Sequence, residues 1–203
     1  MAPLAGGAFQ MGELGNPVTV RPFCLDLTEV TSDAYAQCVQ AHKCSDEGLR
    51  CGPAATYGIA GKKEHPINCV TWAQADKYCR AHGKRLPTEE EWEWAARGQE
   101  EDRDYPWGKG GADGKACWSG GTRVREGTCR VGEFAMGDGV GGIHDLAGNV
   151  WEWTSSAYNK RDAARVNRGG GWISNRLGDL RASNRYADDP TNRTAYDGFR
   201  CAQ

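Results

Sequence analysis

The chain has 203 residues, with 25 lysines and arginines against 27 aspartates and glutamates, and a net charge of −2. This balance argues against a general binder of nucleic acid or of anionic membranes, because both need a clear basic excess. No apolar stretch approaches the roughly 20 residues that span a bilayer. The 28 glycines, about twice the usual share, exclude helical bundles and long coiled coils. The length suits one domain covering residues 1–203.

The first third of the chain is expected to contain one strand, one helix and a long loop. Residues 18–30 alternate well enough for a strand that leads into a helix start. Thr31 or Ser32 can cap a helix that runs to about His42. Residues 43–68 are rich in Gly, Pro and Asp and indicate a loop. A loop of that length is unusual unless its own cysteines staple it.

The clearest elements are two helices in the middle of the chain. Thr71 can cap the first of them, and Gly83 is placed to end it. Thr88 and Glu91 form the pattern of a capping box at the start of the second helix, which Gly98 ends. The rest of the chain is dominated by Gly, Trp, Asn and Asp, which predicts loops and short strands.

Nine cysteines are the second unusual feature. None forms a CxxC pair, and the histidines show no ligand-like spacing, so the usual signature of a zinc site is missing. The spacings favour disulfides and therefore an exported, periplasmic or extracellular protein, while reduced structural thiols remain an alternative. Met1–Leu4 carries neither the basic nor the apolar segment of a secretion signal. An exported form is therefore expected to follow a removed segment.

Four stretches occur in an order that resembles one family. They are Arg85–Gly98 (RLPTEEEWEWAARG), Leu146–Thr154 (LAGNVWEWT), Arg168–Trp172 (RGGGW) and Gly198–Ala202 (GFRCA). Together they resemble the formylglycine-generating enzyme, or sulfatase-modifying factor, family. The resemblance implies an α+β domain of the C-type-lectin-like superfamily. Such a domain has little regular secondary structure, two main helices and a twisted antiparallel sheet.

The resemblance implies a calcium ion at the second motif. Its ligands there correspond to Asn149, Val150 and Glu152, and the two polar side chains supply the hard oxygens that calcium prefers. The alternative is that Asn149 hydrogen-bonds the turn and Glu152 pairs with a buried arginine. A second calcium of the family falls at residues 115–130, where the expected Asn and Asp ligands are absent.

The same region carries a cysteine at each end, Cys117 and Cys129, which predicts a disulfide where a metal ion would otherwise lie. The resemblance also implies a disulfide between Cys79 and Cys201. For the long loop we expect two further pairs, and for the leftover cysteine a buried thiol. The expected pairs are Cys38–Cys69 and Cys44–Cys51, with Cys24 left free.

The family's catalytic members bind copper through two cysteines that follow the Gly-Gly motif, because soft sulfur selects Cu(I). Here the first position corresponds to about Ser174 and the second falls within Leu177–Asp179. No cysteine lies between Cys129 and Cys201. We therefore expect no copper and no formylglycine generation by the copper mechanism.

A binding surface is the function that remains. Its composition of aromatic, guanidinium and amide groups suits a peptide or protein partner. One alternative is a solvated polar loop without a partner. Another is that Arg181 and Arg185 form buried ion pairs with Glu91 or Glu93. Two other functions stay open, an oxidoreductase or other enzyme with a reworked metal site and a diversified receptor. The predicted binding residues, within the surface of residues 172–197, are Trp172, Ser174, Asn175, Arg176, Asp179, Arg181, Arg185 and Tyr186.

Overall fold

A computed structural model gives the fold and describes residues 1–121, 124–159 and 163–203. Short helices and strands are joined by long irregular segments, which confirms the α+β class with little regular secondary structure. In the described residues the helices are α1 Ser32–Gln40, α2 Trp72–Ala81 and α3 Glu89–Ala96, and the strands are β1 Ala2–Leu4, β2 Gly7–Met11, β3 Asn16–Val20, β4 Phe23–Leu25, β5 Trp151–Ala157, β6 Arg165–Arg168, β7 Arg185–Asp188 and β8 Asp197–Gly198.

Each helix begins at a capping threonine. The hydroxyls of Thr31, Thr71 and Thr88 accept the backbone N–H three residues further on, at 3.1–3.2 Å. The capping box of Thr88 and Glu91 is confirmed, and Thr71 forms a second one with Gln74 that the sequence analysis did not predict. With nine residues, α1 is about as long as α2 and α3, so the described part of the chain has three α-helices of similar length rather than two main ones.

The strands form two antiparallel pairs and one four-stranded sheet. β1 pairs with β4 and β2 with β3, and the larger sheet has the order β7-β6-β5-β8. The sheet is mixed rather than purely antiparallel, because β8 runs parallel to its neighbour β5. The strand expected over residues 18–30 is split in two. Pro22 lies at the break, where it has no N–H to continue a ladder.

Of the three apolar clusters in the described residues, the two larger ones hold these elements together. Trp92 and Trp94 of α3 pack against the first strands, with Leu25 and Phe23. The second cluster joins α1 and α2 to the sheet. Its centre is a set of aromatic rings in which Tyr35 stacks on Tyr78 at 5.5 Å and Phe199 meets both rings edge-on.

Two disulfides join the pairs that the sequence predicted. Cys79–Cys201 ties α2 to the C-terminal segment, and Cys117–Cys129 closes the loop ahead of β5. A disulfide of this kind stabilises mainly by restricting the unfolded chain, by roughly 2–4 kcal/mol.

The two disulfides of the long loop differ from the expected pairs. They are Cys38–Cys44 and Cys51–Cys69, which corrects the prediction of Cys38–Cys69 and Cys44–Cys51. The cause is the left-handed residue His42 after α1, with a φ of 57°. It turns the chain back, so that the N–H of Cys44 donates to the carbonyl of Cys38 at 3.3 Å. Cys24 is the free cysteine as expected, but its side chain is half-buried rather than fully buried.

Candidate functional site

The Gly-Gly-Gly-Trp loop is the centre of the candidate site. Gly169 and Gly170 have φ values of 94° and 76°, which a residue with a side chain rarely adopts. A Cβ on Gly170 would lie 2.8 Å from the side chain of Leu180 and 2.9 Å from the carbonyl oxygen of Asp179. Glycine therefore lets this loop pack directly against the 3-10 turn Leu177–Leu180.

This packing brings together the two positions where the resemblance places copper ligands. The same Cβ on Gly170 would lie 3.3 Å from the hydroxyl of Ser174. That hydroxyl accepts the N–H of Gly171 at 3.1 Å, and Ser174 is only 5% exposed. A hydroxyl and backbone carbonyls are hard donors, so these residues do not fit Cu(I).

The predicted binding residues divide into surface and interior. Ser174 lies below the surface and is not placed to contact a partner, because its hydroxyl holds the Gly171 turn. Trp172 and Asp179 are half-buried, and the indole of Trp172 donates to the carbonyl of Ala195 at 2.9 Å. The exposed members of the set are Asn175, Arg176, Arg181, Arg185 and Tyr186.

Neighbours on β7 point to opposite faces of the sheet, which separates Arg185 from Tyr186. Tyr186 is 49% exposed and contacts the ring of Trp151, with 5.6 Å between ring centroids. Arg185 donates to the carboxylate of Glu89 at 2.8 Å and lies over the ring of Tyr158 at 4.4 Å. The surface is therefore two patches rather than one.

Arg181 lies apart from both patches, in a groove of about 500 Å³ beside the β2–β3 hairpin. The carboxylates that the sequence analysis offered as its partners are occupied. Glu91 takes two hydrogen bonds of 2.6 Å from Arg85, and Glu93 pairs with Arg97 and Arg168.

A cavity of about 250 Å³ adjoins the Trp172 loop. Ser119 lies between the lining residues Trp118 and Gly120. Its hydroxyl donates to the carbonyl of Trp172 at 2.7 Å and attaches this side of the cavity to the Trp172 loop. Arg125 donates to the carbonyl of Trp118 at 3.1 Å and lies over the ring of Phe134 at 5.2 Å. The cavity is lined by Asp113, Gly114, Ala116, Trp118, Gly120, Arg125 and Phe134.

Asn149 holds the disulfide-closed loop in place. Its backbone N–H donates to the carbonyl of Cys117 at 2.8 Å, and its amide oxygen accepts the N–H of Cys129 at 3.0 Å. Its carbonyl accepts the N–H of Trp172 at 2.8 Å. Asn149 thus connects both ends of this loop to the Gly-Gly-Gly-Trp loop, and its φ of 60° makes the turn possible.

Glu152 is paired with a buried arginine. Arg200 donates to both carboxylate oxygens at 2.7 Å, and the indole of Trp92 donates a third hydrogen bond at 2.9 Å. Both oxygens of Glu152 and the amide oxygen of Asn149 thus accept hydrogen bonds from the protein itself. Val150 could contribute only its main-chain carbonyl to a metal ion. Calcium at Asn149, Val150 and Glu152 stays a prediction.

Glu29 is a buried acid that the sequence analysis missed. It is 1% exposed, and neither carboxylate oxygen has a hydrogen-bond partner among the described residues. Burial, and then the nearby Asp145 carboxylate, raise the pKa of Glu29 well above its usual value, against the opposing effect of Arg200. The sequence signal is weak, because Glu29 lies between Thr28 and Val30 just before α1.

A second missed feature is the carboxyl pair of Asp188 and Asp197, at the two ends of the connection between β7 and β8. Asp197 is fully buried and Asp188 is 9% exposed. Burial raises the pKa of Asp197 to about 7, and the neighbouring Asp188 adds to this rise. A spacing of nine residues carries no recognised motif, so only the fold reveals the pair.

The described residues contain neither a membrane-spanning helix nor a cluster of metal-binding side chains. None of the helices there has the length and apolar character needed to cross a membrane. Likewise, in residues 1–121, 124–159 and 163–203 no three His, Cys, Asp or Glu side chains are grouped so as to hold a metal ion.

Comparison with known proteins shows what the chain is similar to. Residues 1–203 match the family described as "Sulfatase-modifying factor enzyme 1-like domain". The chain is 33% identical to "Inactive C-alpha-formylglycine-generating enzyme 2" of Bos taurus, with 100% of this chain and 87% of that protein covered. It is 34% identical to the "Formylglycine-generating enzyme" of Thermomonospora curvata, over 74% of this chain and 59% of that one. Among solved structures, PvdO from Pseudomonas aeruginosa has the same fold, with a TM-score of 0.79, 23% identity, and coverage of 98% of this chain and 92% of that one.

Proposed function

Because this chain belongs to the family of sulfatase-modifying factor enzyme 1-like domains, we propose that it is a non-catalytic member that binds a peptide or protein partner through the surface of residues 172–197. The observation that carries the proposal is the chemistry of the groups beside Gly170. The two positions where the resemblance places the copper cysteines present the buried hydroxyl of Ser174 and backbone carbonyls.

Two further observations support a non-catalytic role. The sequence has no cysteine between Cys129 and Cys201, so no rearrangement of this segment restores a thiolate pair. A relative that covers the whole chain bears the name of an inactive enzyme. Four disulfides are typical of proteins that fold in an oxidising compartment, and we propose that this domain is exported.

The Tyr186 side of the surface suits an extended peptide. β7 is the last strand of its sheet, and no other described strand pairs with its outer edge. An incoming peptide can add there as a further strand, with main-chain hydrogen bonds for affinity. Tyr186, resting on Trp151, offers an amphipathic ring for the peptide's side chains.

Arg176 gives the surface an exposed guanidinium that suits an acidic group of the partner. Among the described residues it forms no ion pair, whereas Arg185 is paired with Glu89 and Arg181 lies apart from both patches. Binding is therefore expected to weaken as salt concentration rises.

An array of immobilised linear peptides, probed with the labelled domain, tests the proposal. Peptides that bind are measured again with Tyr186→Ala and Arg176→Ala, and with Lys77→Ala as a matched control on the exposed side of α2. Loss of binding in the first two variants alone supports the proposal. Equal binding by all variants, or no bound peptide at all, overturns it.

The enzyme alternative is tested separately. The domain is incubated with copper, oxygen, a thiol reductant and a cysteine peptide taken from a sulfatase, and the product is assayed for an aldehyde. The proposal expects none above the level without protein. Aldehyde formed with repeated turnover would show that the site works without the cysteine pair.

A further inference from the structure

The four disulfides differ in how far solvent reaches them. Cys51 is exposed, whereas the other seven disulfide-bonded cysteines are buried or half-buried. Its partner Cys69 is fully buried. The rate at which a thiol opens a disulfide depends on access to one of the two sulfurs. Cys51–Cys69 is therefore the disulfide that an external thiol reaches first, and Cys51 is the half that it attacks.

The other three disulfides are protected by the interior of the domain. Cys38–Cys44 and Cys79–Cys201 belong to the second apolar cluster or pack against it, so a thiol reaches them only where that cluster opens. Both residues of Cys117–Cys129 are buried, and Asn149 is hydrogen-bonded to the backbone of each. Neither Cys51 nor Cys69 belongs to an apolar cluster of the described residues. Opening of this one disulfide therefore leaves those clusters in place.

Cys69 has a backbone conformation that a residue with a side chain disfavours. Its φ is 61°, in the left-handed region, where the Cβ atom lies too close to the backbone. The disulfide to Cys51 holds it there together with two hydrogen bonds. The N–H of Cys69 donates to the carbonyl of Thr194 at 2.9 Å, and its carbonyl accepts Nη1 of Arg193 at 3.2 Å. Opening of the disulfide removes the covalent constraint and lets this strain relax.

The backbone at Cys69 is attached to the connection between β7 and β8. That connection, residues 189–196, supplies both hydrogen-bond partners of Cys69. The amide of Asn68, one residue earlier, donates to the carbonyl of Ala195 at 2.7 Å. The same carbonyl accepts the indole of Trp172 at 2.9 Å. A change of backbone conformation at Cys69 therefore reaches the side of the surface that contains Trp172.

We propose that Cys51–Cys69 is a thiol-sensitive switch, which a small thiol of the glutathione class opens at Cys51 while the other three disulfides stay closed. Its opening loosens residues 189–196. The inference concerns the disulfide itself and does not require that a partner peptide exists.

The chemistry is two successive exchanges. In the first, the sulfur of the thiolate bonds to the sulfur of Cys51, the bond between the two cysteines breaks, and the sulfur of Cys69 leaves with the electron pair and takes up a proton from water. In the second, another thiolate attacks the small-molecule sulfur of the mixed disulfide and releases Cys51, which also takes up a proton. One disulfide of the protein is thus reduced, and two small thiols are oxidised to one disulfide.

Limited reduction of the intact, folded domain tests the site of attack. The domain is treated with graded reduced glutathione at neutral pH and quenched with N-ethylmaleimide, and mass spectrometry locates the labelled thiols and the glutathione adducts. We expect Cys51 and Cys69 to open at least about tenfold faster than Cys38–Cys44, the internal control, and the first adduct to form on Cys51. Opening of Cys38–Cys44 at the same rate overturns the proposal. So does a first adduct on Cys69, or opening of all four disulfides together.

A variant with both Cys51→Ser and Cys69→Ser imitates the open form and tests the coupling. Hydrogen–deuterium exchange is expected to be faster than in the wild type in residues 189–196 and unchanged in α3. The matched control carries Cys38→Ser and Cys44→Ser and is expected to keep wild-type exchange in residues 189–196. Unchanged exchange there in the first variant, or equal acceleration in the control, overturns the proposal. Wild-type protein after limited reduction decides the question if the first variant does not fold, which near-UV circular dichroism checks.

Discussion

Arg200 and Glu152 form a bidentate ion pair in which neither side chain reaches solvent. Nε and Nη2 of Arg200 each lie 2.7 Å from a different carboxylate oxygen of Glu152. Arg200 also donates to the carbonyl of His144 at 2.9 Å. The pair therefore joins the C-terminal segment both to β5 and to the segment before it, across the middle of the domain.

Glu152→Gln is expected to destabilise the domain by about 3–5 kcal/mol, because it leaves the Arg200 charge buried without a partner. Urea unfolding followed by tryptophan fluorescence measures the change. Arg80→Ala, which removes an exposed pair with Asp76, is the control and should cost less than about 1 kcal/mol. A cost for Glu152→Gln as small as the control's would show that the pair contributes little.

The sequence predicted the helix starts and ends, because these depend on residues that are close together in the chain. The threonine caps fix the helix starts, and the glycines that follow α2 and α3 mark where these helices end. The positions of Cys79 and Cys201 came from the resemblance. Pairing across the long loop was not predictable, because it depends on one left-handed residue, His42, which carries no strong turn signal.

The candidate site was predicted less well than the fold, for a related reason. The residues of 172–197 have the composition of a surface, yet the turn at Gly171 places Ser174 inside and the alternation of β7 separates Arg185 from Tyr186. Asp188 and Asp197 escaped notice because a spacing of nine residues carries no recognised motif, and only the fold shows that both are buried.

Glu29→Gln is expected to change how stability depends on pH. The raised pKa means that the folded state keeps a proton that the unfolded chain releases above about pH 4.5. The wild-type free energy of unfolding therefore falls as pH rises from this value towards the folded pKa, by about 1.4 kcal/mol per unit. Glutamine cannot ionise, so the variant gains stability relative to wild type over this range.

The measurement is urea unfolding of both proteins from pH 4 to mildly alkaline pH. Asp145, Glu152 and Arg200 surround Glu29 and are present in both proteins, so the difference between the two curves isolates Glu29. A difference that does not vary with pH would mean that Glu29 is ionised in the folded state.

Disulfide mapping is expected to recover the four pairs of the structure. Tryptic digestion without reduction should link the peptide of residues 44–50 to residues 1–43, and residues 51–62 to residues 64–77. Mass spectrometry distinguishes this from the alternative in which residues 44–50 are linked to 51–62. Unfolded, unreduced protein should contain about one titratable thiol, and Cys24→Ser should remove it. Nine free thiols would contradict both the pairing and an oxidising compartment.

Asn149→Ala is expected to lower the stability of the domain. Its amide oxygen accepts the N–H of Cys129, so the change leaves a buried donor unpaired, at a cost of about 1–3 kcal/mol. Urea unfolding of both proteins, with and without EGTA, measures the loss. A loss that is the same under both conditions would show that the hydrogen bond alone accounts for it. A loss that disappears in EGTA would show that Asn149 acts through a bound calcium ion, as the resemblance to the family implies.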